Sequence, residues 1–135
     1  MSGPELCVSA VVVDDDQLLL VRRGHGRAAG TWAVPGGRVR AGETLAEAVV
    51  RELREETAVE GVCAGLLGLR ELIGGEQAHQ VVLAHRVSVL EATDPRPGGD
   101  AVEARWVPLA EVADYPLAPG LAELLHDHQV IATIT

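Results

Sequence analysis

Apolar and polar positions alternate or run in short blocks through most of the chain, and this pattern predicts β-strands. The run LCVSAVVV is followed by three aspartates and then by QLLLVRR, which together predict a β-hairpin with an acidic turn. Two longer β-prone runs, VEGVCAGLLGLREL and HQVVLAHRVSVL, are separated by IGGEQA and predict a second hairpin. Further on, VEARWVPL alternates as a half-buried strand does.

Two segments have helical patterns instead. Thr44 and Glu47 form the Thr-x-x-Glu pattern of a capping box, and the absence of Gly and Pro up to Thr57 predicts a helix from about Thr44 to about Thr57. A second, amphipathic helix is expected near the C-terminus, with three leucines on its apolar face: Leu121, Leu124 and Leu125. The tail QVIATIT either adds a last strand or contacts a second copy of the chain.

The order of these elements is β, β, loop, α, β, β, β, α. It indicates an α+β fold, an α/β/α sandwich with a mixed β-sheet between two helices. No repeat, low-complexity segment or long linker divides the chain, so residues 1–135 are expected to form a single domain. Because the chain has no Phe, its core is expected to be aliphatic.

Charge and leader signals exclude several classes of protein. The net charge of -9 argues against a long nucleic acid as partner, because nucleic-acid domains present a basic face to phosphates. All eleven basic residues are Arg, which suits phosphate oxygens but is equally explained by a GC-rich genome. The N-terminus has no leader pattern and no apolar run approaches the ~18 residues of a membrane span. We therefore expect a cytoplasmic protein that does not bind membranes.

The predicted first helix carries three glutamates close together, Glu52, Glu55 and Glu56. At about 100° per residue they flank the apolar stripe, where the floor of a cleft would lie, while Glu47 and Arg51 occupy the outer face and Arg51 can brace Glu55. Clustered carboxylates at a low-dielectric edge either raise their pKa values or hold a cation, and oxygen ligands select Mg²⁺ or Mn²⁺. From the helix alone, a solvated acidic face is the commoner explanation.

The loop before the helix changes that balance. The spacing Gly37, five residues, Glu43, seven residues and then RELREETAV resembles the Nudix box, G-x5-E-x7-R-E-U-x-E-E-x-G-U with U aliphatic. The preceding GTWAVPGG is also similar to the family's lead-in. One specified position differs, since Ala58 replaces Gly. Ala would cost about 1–2 kcal/mol in a left-handed conformation, so we expect a slightly different helix end.

The resemblance implies a Nudix fold and a function. Family members hydrolyse a nucleoside diphosphate linked to another group, X, so it implies Mg²⁺-dependent cleavage of a pyrophosphate bond, with Mn²⁺ as a substitute and ADP-ribose or a nucleotide sugar as substrate. Two alternatives stay open, a nucleoside triphosphate pyrophosphohydrolase that removes oxidised nucleotides and a non-catalytic nucleotide sensor. The partner is then a small nucleotide diphosphate, and a homodimer is suggested by the family alone.

The same resemblance implies roles for the residues of the motif. Glu52, Glu55, Glu56 and the Gly37 carbonyl are the expected metal ligands, with Glu56 the strongest candidate. Arg51 is expected to orient a glutamate. The general base is left open between Glu55 and Glu52.

Residues around the motif are candidates for binding the substrate. Glu43 either braces the loop or contacts the metal through water. Trp32 either stacks on a base, which is worth about 1–3 kcal/mol where measured, or is an aromatic residue of the core. Arginines that flank the motif are candidate phosphate binders, among which some are expected to be solvated only: Arg22, Arg23, Arg27 and Arg38.

A later loop, PGGDAVEARW, supplies two possible acids, Asp100 and Glu103. Either side chain would reach the cleft if the loop crosses it. Turn chemistry and a solvated strand charge are the better explanation for both, because Asp commonly marks turns. For Trp106, which follows in the alternating strand, a core position is favoured over stacking on a base.

Overall fold

The computed structural model describes residues 3–26, 28–74 and 79–132. In chain order it contains β1 (Glu5–Val11), β2 (Val13–Asp14), β3 (Gln17–Arg23), β4 (Trp32–Ala33), β5 (Gly36–Arg38), α1 (Leu45–Thr57), β6 (Gly61–Ile73), β7 (His79–Val89), β8 (Ala101–Pro108), a 3₁₀ helix (Leu109–Asp114) and α2 (Leu121–Asp127). Within those ranges, neither α-helix has the length and apolar character needed to cross a bilayer.

The strands described here form two four-stranded sheets. In the first sheet, with the order β5-β1-β7-β6, β1 is antiparallel to β5 and parallel to β7, and β7 is antiparallel to β6. In the second sheet, β3 pairs antiparallel with β2, β4 and β8. The parallel pair makes the first sheet mixed, as the sequence predicts.

Alternate residues of the central strands face opposite helices, because side chains alternate with a period of two along a strand. One set packs with the buried side chains of α1: Val8, Ala10, Val12 and Leu19. The other set packs with the leucines of α2: Val11, Leu18 and Leu20. The strands therefore lie between the two helices, which confirms the predicted α/β/α sandwich. The largest fully buried side chains are all Leu or Val, so the core is aliphatic.

The first hairpin is shorter than predicted. β1 pairs with strands of the first sheet, and the chain then passes into the second sheet at Val12, so that only Val13–Asp14 pairs with Gln17–Leu18. Asp15 and Asp16 have φ values of +49° and +58°, as in the two-residue type I′ turn that matches strand twist. An unbroken apolar run does not reveal a strand that changes sheets, which is why the sequence predicted one long hairpin.

The second hairpin is confirmed, although residues 75–78 of its connection lie outside the described residues. β6 and β7 pair along almost their whole length, with irregularities in register between Cys63 and Gly65 and between Leu66 and Gly68. The described part of the C-terminal tail, residues 129–132, forms no strand. Instead, Ile131 is buried in the cluster that contains the α2 leucines.

Helix α1 begins where the sequence predicts. The Glu47 N–H donates to Thr44 Oγ1 at 3.1 Å, and the Thr44 N–H donates to Glu47 Oε1 at 2.9 Å, so the capping box is complete. At the other end, Ala58 has φ +61° and ψ +14°, and its N–H donates to the Arg54 carbonyl at 2.9 Å. The expectation of a differently shaped helix end is wrong, because Ala58 adopts the left-handed conformation itself.

Buried neighbours hold Ala58 in this conformation. Thr57 is fully buried, and its hydroxyl donates to the Leu53 carbonyl at 2.7 Å and accepts from the Val59 N–H at 3.2 Å. Val59 is itself fully buried in the core beside α1. The packing of the two residues around Ala58 thus outweighs a local backbone cost of about 1–2 kcal/mol.

Ala58→Gly is expected to raise the free energy of unfolding by about 1 kcal/mol, because Gly adopts a positive φ without the steric cost that Ala has. Urea denaturation followed by circular dichroism measures the change. Ala46→Gly is the matched control, since Ala46 lies exposed within α1, where the same substitution should lower stability by about 0.5–1 kcal/mol. Destabilisation by both substitutions would show that Ala58 is not strained.

Candidate functional site

A cavity of about 670 Å³ lies between α1, the first sheet and the loop before β8. Its apolar lining comes from strand residues that include Val8, Val21, Leu72 and Val82. Its charged lining comprises four carboxylates and four guanidinium groups: Glu52, Glu55, Glu56, Asp100, Arg23, Arg38, Arg40 and Arg70. The three helix glutamates thus border one cavity together with arginines from several strands and loops.

Arg51 is the centre of the acidic cluster. Its Nη1 donates to Glu52 Oε1 at 2.8 Å and to Glu55 Oε2 at 3.2 Å, while its Nε and Nη2 both donate to Glu43. Nη2 also donates to the Arg38 carbonyl at 3.0 Å. Only 13% of the Arg51 side chain is exposed. Arg51 thus contacts Glu55 as predicted, but the loop before α1, rather than solvent, covers its side of the helix.

Glu43 fastens this loop to the helix. Its carboxylate accepts from the Arg40 N–H at 2.9 Å and from two nitrogens of Arg51. The Arg51 guanidinium, followed by the Arg40 N–H, lowers the pKa of Glu43 to about 2. Glu43 is therefore ionised at neutral pH, and its contacts support the bracing role rather than contact with a metal.

Glu56 occupies a different environment from the Arg51 cluster. Its Oε1 accepts a hydrogen bond from the Gly36 N–H at 2.7 Å. Burial raises the pKa of Glu56 to about 7, against the opposing Gly36 N–H, and the charge of Glu52 adds to the rise. A carboxyl group in a cavity that titrates near neutral pH is a candidate functional group.

Gly36 and Gly37 make room for these carboxylates. A Cβ atom at Gly37 would lie 2.7 Å from the carboxylate atoms of Glu52, and one at Gly36 would lie 2.4 Å from the Val8 carbonyl oxygen. Without side chains, the β5 backbone packs directly against Glu52 and β1. The close approach of backbone and carboxylate explains why the motif needs glycine at position 37.

The glutamates fit a hard divalent cation by donor type, since carboxylate oxygens are the ligands that Mg²⁺ and Mn²⁺ prefer. Glu52 and Glu56 each use one oxygen in hydrogen bonds to protein groups, and among the residues that the structure describes the other oxygen of each accepts no hydrogen bond. In the described ranges, no three Asp, Glu, His or Cys side chains already converge on one point as metal ligands. Binding a cation thus requires rotation of glutamates that Arg51 and Gly36 now hold.

Two further candidates from the sequence reach this cavity. Arg38 lines it and pairs with Glu5 at 2.9 Å. Asp100 also lines it, is 87% exposed and lies 3.8 Å from the His25 imidazole. The negative charge of Asp100 contributes to the raised pKa of Glu56, which places this loop acid within electrostatic range of the glutamates.

Three other candidates lie elsewhere. Arg22, Trp32 and Glu103 border a second, shallower cavity of about 420 Å³, and Arg22 pairs with Glu103 at 2.7 Å. Trp32 is only 6% exposed, stands edge-on to Tyr115 at 5.2 Å and lies 5.1 Å from the Arg105 guanidinium. A base bound beside the glutamates would not stack on this ring. Alternation along the strands accounts for this separation, because Val21, Arg23 and Ala101 line the glutamate cavity while Arg22 and Glu103 line the other one.

Trp106 packs beside the α1 core and donates its Nε1–H to the Thr93 carbonyl at 3.0 Å, in agreement with the core position favoured by the sequence. Arg27 lies outside the described residues. Two arginines of the glutamate cavity were missed. Arg40 lies 3.3 Å from Glu55 Oε1, and Arg70 comes from β6, far beyond the motif. The one feature of the sequence that could have indicated Arg70 is its positive charge within a mostly apolar β-prone run.

Comparisons with known proteins agree with this geometry. A family model described as "NUDIX domain" matches residues 3–128. An ADP-ribose pyrophosphatase of Methanocaldococcus jannaschii is 30% identical over 128 residues, which cover 95% of this chain and 70% of that protein. A putative 8-oxo-dGTP diphosphatase 3 of Mycobacterium tuberculosis is 36% identical over 99 residues, 69% of this chain but 44% of that protein.

Among solved structures, the NUDIX domain of Shewanella oneidensis NrtR complexed with ADP ribose is similar to this chain. It has a TM-score of 0.80 and 25% sequence identity, and the match covers 98% of this chain and 91% of that one. The resemblance therefore extends through both sheets and both helices, well beyond the motif around α1.

Glu56 is expected to make the free energy of unfolding fall as the pH rises. Its pKa of about 7 in the folded chain exceeds the ordinary value of 4.5, so the folded state holds the proton more tightly. The resulting stability is complete below pH 4.5 and is lost as the pH rises to about 7, a change of about 3 kcal/mol.

Urea denaturation of the metal-free protein between pH 4 and pH 8 measures this dependence. Glu56→Gln, whose amide does not titrate, is expected to remove that part of the slope. Ala46→Gly serves as control, because it lowers stability while leaving Glu56 in place and so should keep the wild-type slope. Parallel profiles of wild type and Glu56→Gln would contradict the raised pKa.

Proposed function

This chain belongs to the Nudix family, and from that premise we propose that it hydrolyses the pyrophosphate bond of a nucleoside diphosphate linked to X, with Mg²⁺ as cofactor and ADP-ribose as the leading substrate. One observation supports the proposal most strongly. The three motif glutamates line the same cavity as four arginines, Arg23, Arg38, Arg40 and Arg70. The relative named ADP-ribose pyrophosphatase and the NrtR domain complexed with ADP ribose support this choice of substrate.

Nudix hydrolases generally use divalent metal cations. A cation bound here would supply positive charge that neutralises the phosphates and polarises their oxygens. Glu56 is the proposed principal ligand, because its second carboxylate oxygen forms no hydrogen bond among the described residues and Glu56 lines the cavity. The neighbouring Glu52 adds negative charge that attracts the cation. Glu55 and the Gly37 carbonyl are proposed as additional ligands. Mn²⁺ is expected to substitute, because it accepts the same oxygen donors.

The protein's own groups fix the positions of these ligands. Arg51 orients Glu52 and Glu55, and Glu43 anchors Arg51 to the loop. Positioning of this kind lowers the entropy that the reaction must lose on approach to the transition state. We assign Arg51 and Glu43 to positioning rather than to contact with the reacting atoms.

Of the two candidate bases, the contacts favour Glu52. Both oxygens of Glu55 lie near guanidinium groups, Oε2 at 3.2 Å from Arg51 and Oε1 at 3.3 Å from Arg40, so neither oxygen is without a protein partner. Glu52 has one oxygen paired with Arg51 and one without a hydrogen bond in the described part of the chain. That oxygen is available to accept a proton from the attacking water.

Cleavage of an oxidised nucleoside triphosphate is the second candidate function. It is favoured by the similarity to the putative 8-oxo-dGTP diphosphatase, but the match covers less than half of that protein. A sensor without turnover is less favoured, because Glu52, Glu55 and Glu56 are all present and border one cavity. In each case the ligand is a small nucleotide, which suits a chain with a net charge of -9 better than a long nucleic acid does.

A substrate panel tests the proposal. The purified chain with millimolar Mg²⁺ is offered ADP-ribose, nucleotide sugars, dinucleoside polyphosphates and oxidised deoxynucleoside triphosphates, and the products are identified by mass. We expect ADP-ribose to be cleaved fastest, to AMP and ribose 5-phosphate. Faster cleavage of an oxidised triphosphate would favour the second function, and no cleavage of any member would favour the sensor.

Glu56→Gln is expected to lower turnover of the best substrate by about 10²–10³-fold or more, because an amide replaces a proposed metal ligand and transition-state charge is stabilised less. Circular dichroism checks that the variant is folded. Ala58→Gly, which changes the end of α1 without removing a side chain of the cavity, should keep wild-type turnover. Wild-type turnover in Glu56→Gln would remove Glu56 from the mechanism.

A further inference from the structure

We propose that Arg70 binds the phosphoryl group of the substrate that lies farther from the glutamates. The inference rests on the proposed pyrophosphate substrate and adds a second end to its binding site. Arg70 belongs to β6, outside the motif, and lines the same cavity as Glu52 and Glu56.

Arg70 is a partly buried cation with few partners among the described residues. Its Nη1 donates to the Pro119 carbonyl at 3.0 Å, whereas its Nε is buried and has no hydrogen bond in the described part of the chain. A guanidinium group has five N–H donors, and a buried charge is ordinarily paired with an opposite charge. No carboxylate forms an ion pair with Arg70 within residues 3–26, 28–74 and 79–132, so an anionic ligand would supply the missing partner.

The electrostatic surroundings agree with this view. Burial lowers the pKa of Arg70, the positive charge of Arg23 lowers it further, and Glu123 offsets only part of the effect. The cation is thus held in a place that disfavours its charge. A phosphoryl group would stabilise it with charge-assisted hydrogen bonds, which are about twice as strong as neutral ones.

A second unpaired atom borders the same cavity. Ser9 Oγ and Arg70 Nε are the buried side-chain atoms without hydrogen-bond partners among the described residues. Both residues line the glutamate cavity. Buried polar atoms without partners are few in proteins, so their shared location independently indicates a polar ligand in this cavity.

The pairing of the strands places Arg70 across the cavity from the glutamates. Cys7 pairs with Val82, and Val82 pairs with Arg70, so the three side chains share one row across β1, β7 and β6. Gly36, which binds Glu56, lies on β5 at the other edge of this sheet. Three strand spacings separate β5 from β6, about 14 Å. Arg70 and the glutamates therefore line the cavity from opposite edges of this sheet.

Arg23 lies within electrostatic range of both Glu56 and Arg70. Its charge affects both sides of the cavity, since it lowers the pKa of Glu56 and that of Arg70. In the described residues its side chain forms no hydrogen bond or ion pair, and it lines the cavity. Repulsion between Arg23 and Arg70 would be relieved by an anion bound between them.

Binding of inorganic pyrophosphate, measured by calorimetry in EDTA, tests Arg70 without metal or turnover. We expect wild type to bind and Arg70→Met to bind at least about tenfold more weakly. Glu56→Gln should bind at least as tightly as wild type, because it removes a nearby negative charge. Failure of wild type to bind, or equal binding by wild type and Arg70→Met, would overturn the inference.

Arg70→Lys guards against a variant that fails to fold. It keeps the charge and the aliphatic stem but lacks the Nε–H, so it should bind pyrophosphate more tightly than Arg70→Met and more weakly than wild type. Adenosine, the nucleoside of the leading substrate, is the comparison ligand. If Arg70→Met weakened binding of adenosine and not of pyrophosphate, Arg70 would recognise a base and the inference would be wrong.

Kinetics separate this inference from the proposed function. With the fastest substrate of the panel, Arg70→Met should raise KM at least about tenfold and change kcat less than about threefold, as expected when binding common to ground and transition states is lost. An active enzyme whose KM does not depend on Arg70 would remove the inference alone. A wild type that binds pyrophosphate through Arg70 but cleaves no substrate would remove the proposed function alone.

Discussion

The ion pairs of Arg51 are the interaction on which the rest of the cavity depends. Neighbouring glutamates on one helix repel each other by roughly 0.2–0.5 kcal/mol per pair at i,i+4, and the cost grows where water is excluded. Arg51 binds Glu52 and Glu55 on the helix and Glu43 on the loop, and is only 13% exposed. The contacts that relieve this repulsion therefore also attach the loop to α1, and they fix the directions in which the carboxylates point.

The third glutamate of the helix, Glu56, is held by the fold rather than by Arg51. Glu56 lies outside the Arg51 cluster, where burial raises its pKa to about 7 and the Gly36 N–H holds one of its oxygens. The cavity thus contains a carboxyl group whose charge changes near neutral pH, beside the carboxylates that Arg51 holds. Four arginines also line this cavity. Their positive charge favours an anionic ligand there, although the chain as a whole is acidic.

Features set by local patterns were predictable from the sequence, and features set by long-range pairing were not. The capping box, the bounds of α1 and the grouping of its glutamates follow from spacing within one helix. The burial of Arg51 was not predicted, because helical periodicity cannot show which loop covers a face of the helix. For Trp32 the sequence left stacking on a base and a core position open, since strand periodicity does not show what packs on the ring. Arg70 reaches the cavity only through the pairing of β6 with β7. At Ala58 the propensity of Ala was judged correctly, but the buried residues on either side decide the conformation.

The central claim is that these carboxylates are grouped in order to hold a divalent cation. Electron paramagnetic resonance of free Mn²⁺ during a titration of the protein at neutral pH counts the bound ions directly. The account predicts at least one bound Mn²⁺ per chain, with affinity lowered about tenfold or more by Glu52→Gln and by Glu56→Gln. If no Mn²⁺ bound to the folded wild type, even with ADP-ribose present, the carboxylates would not form a metal site and the claim would be wrong.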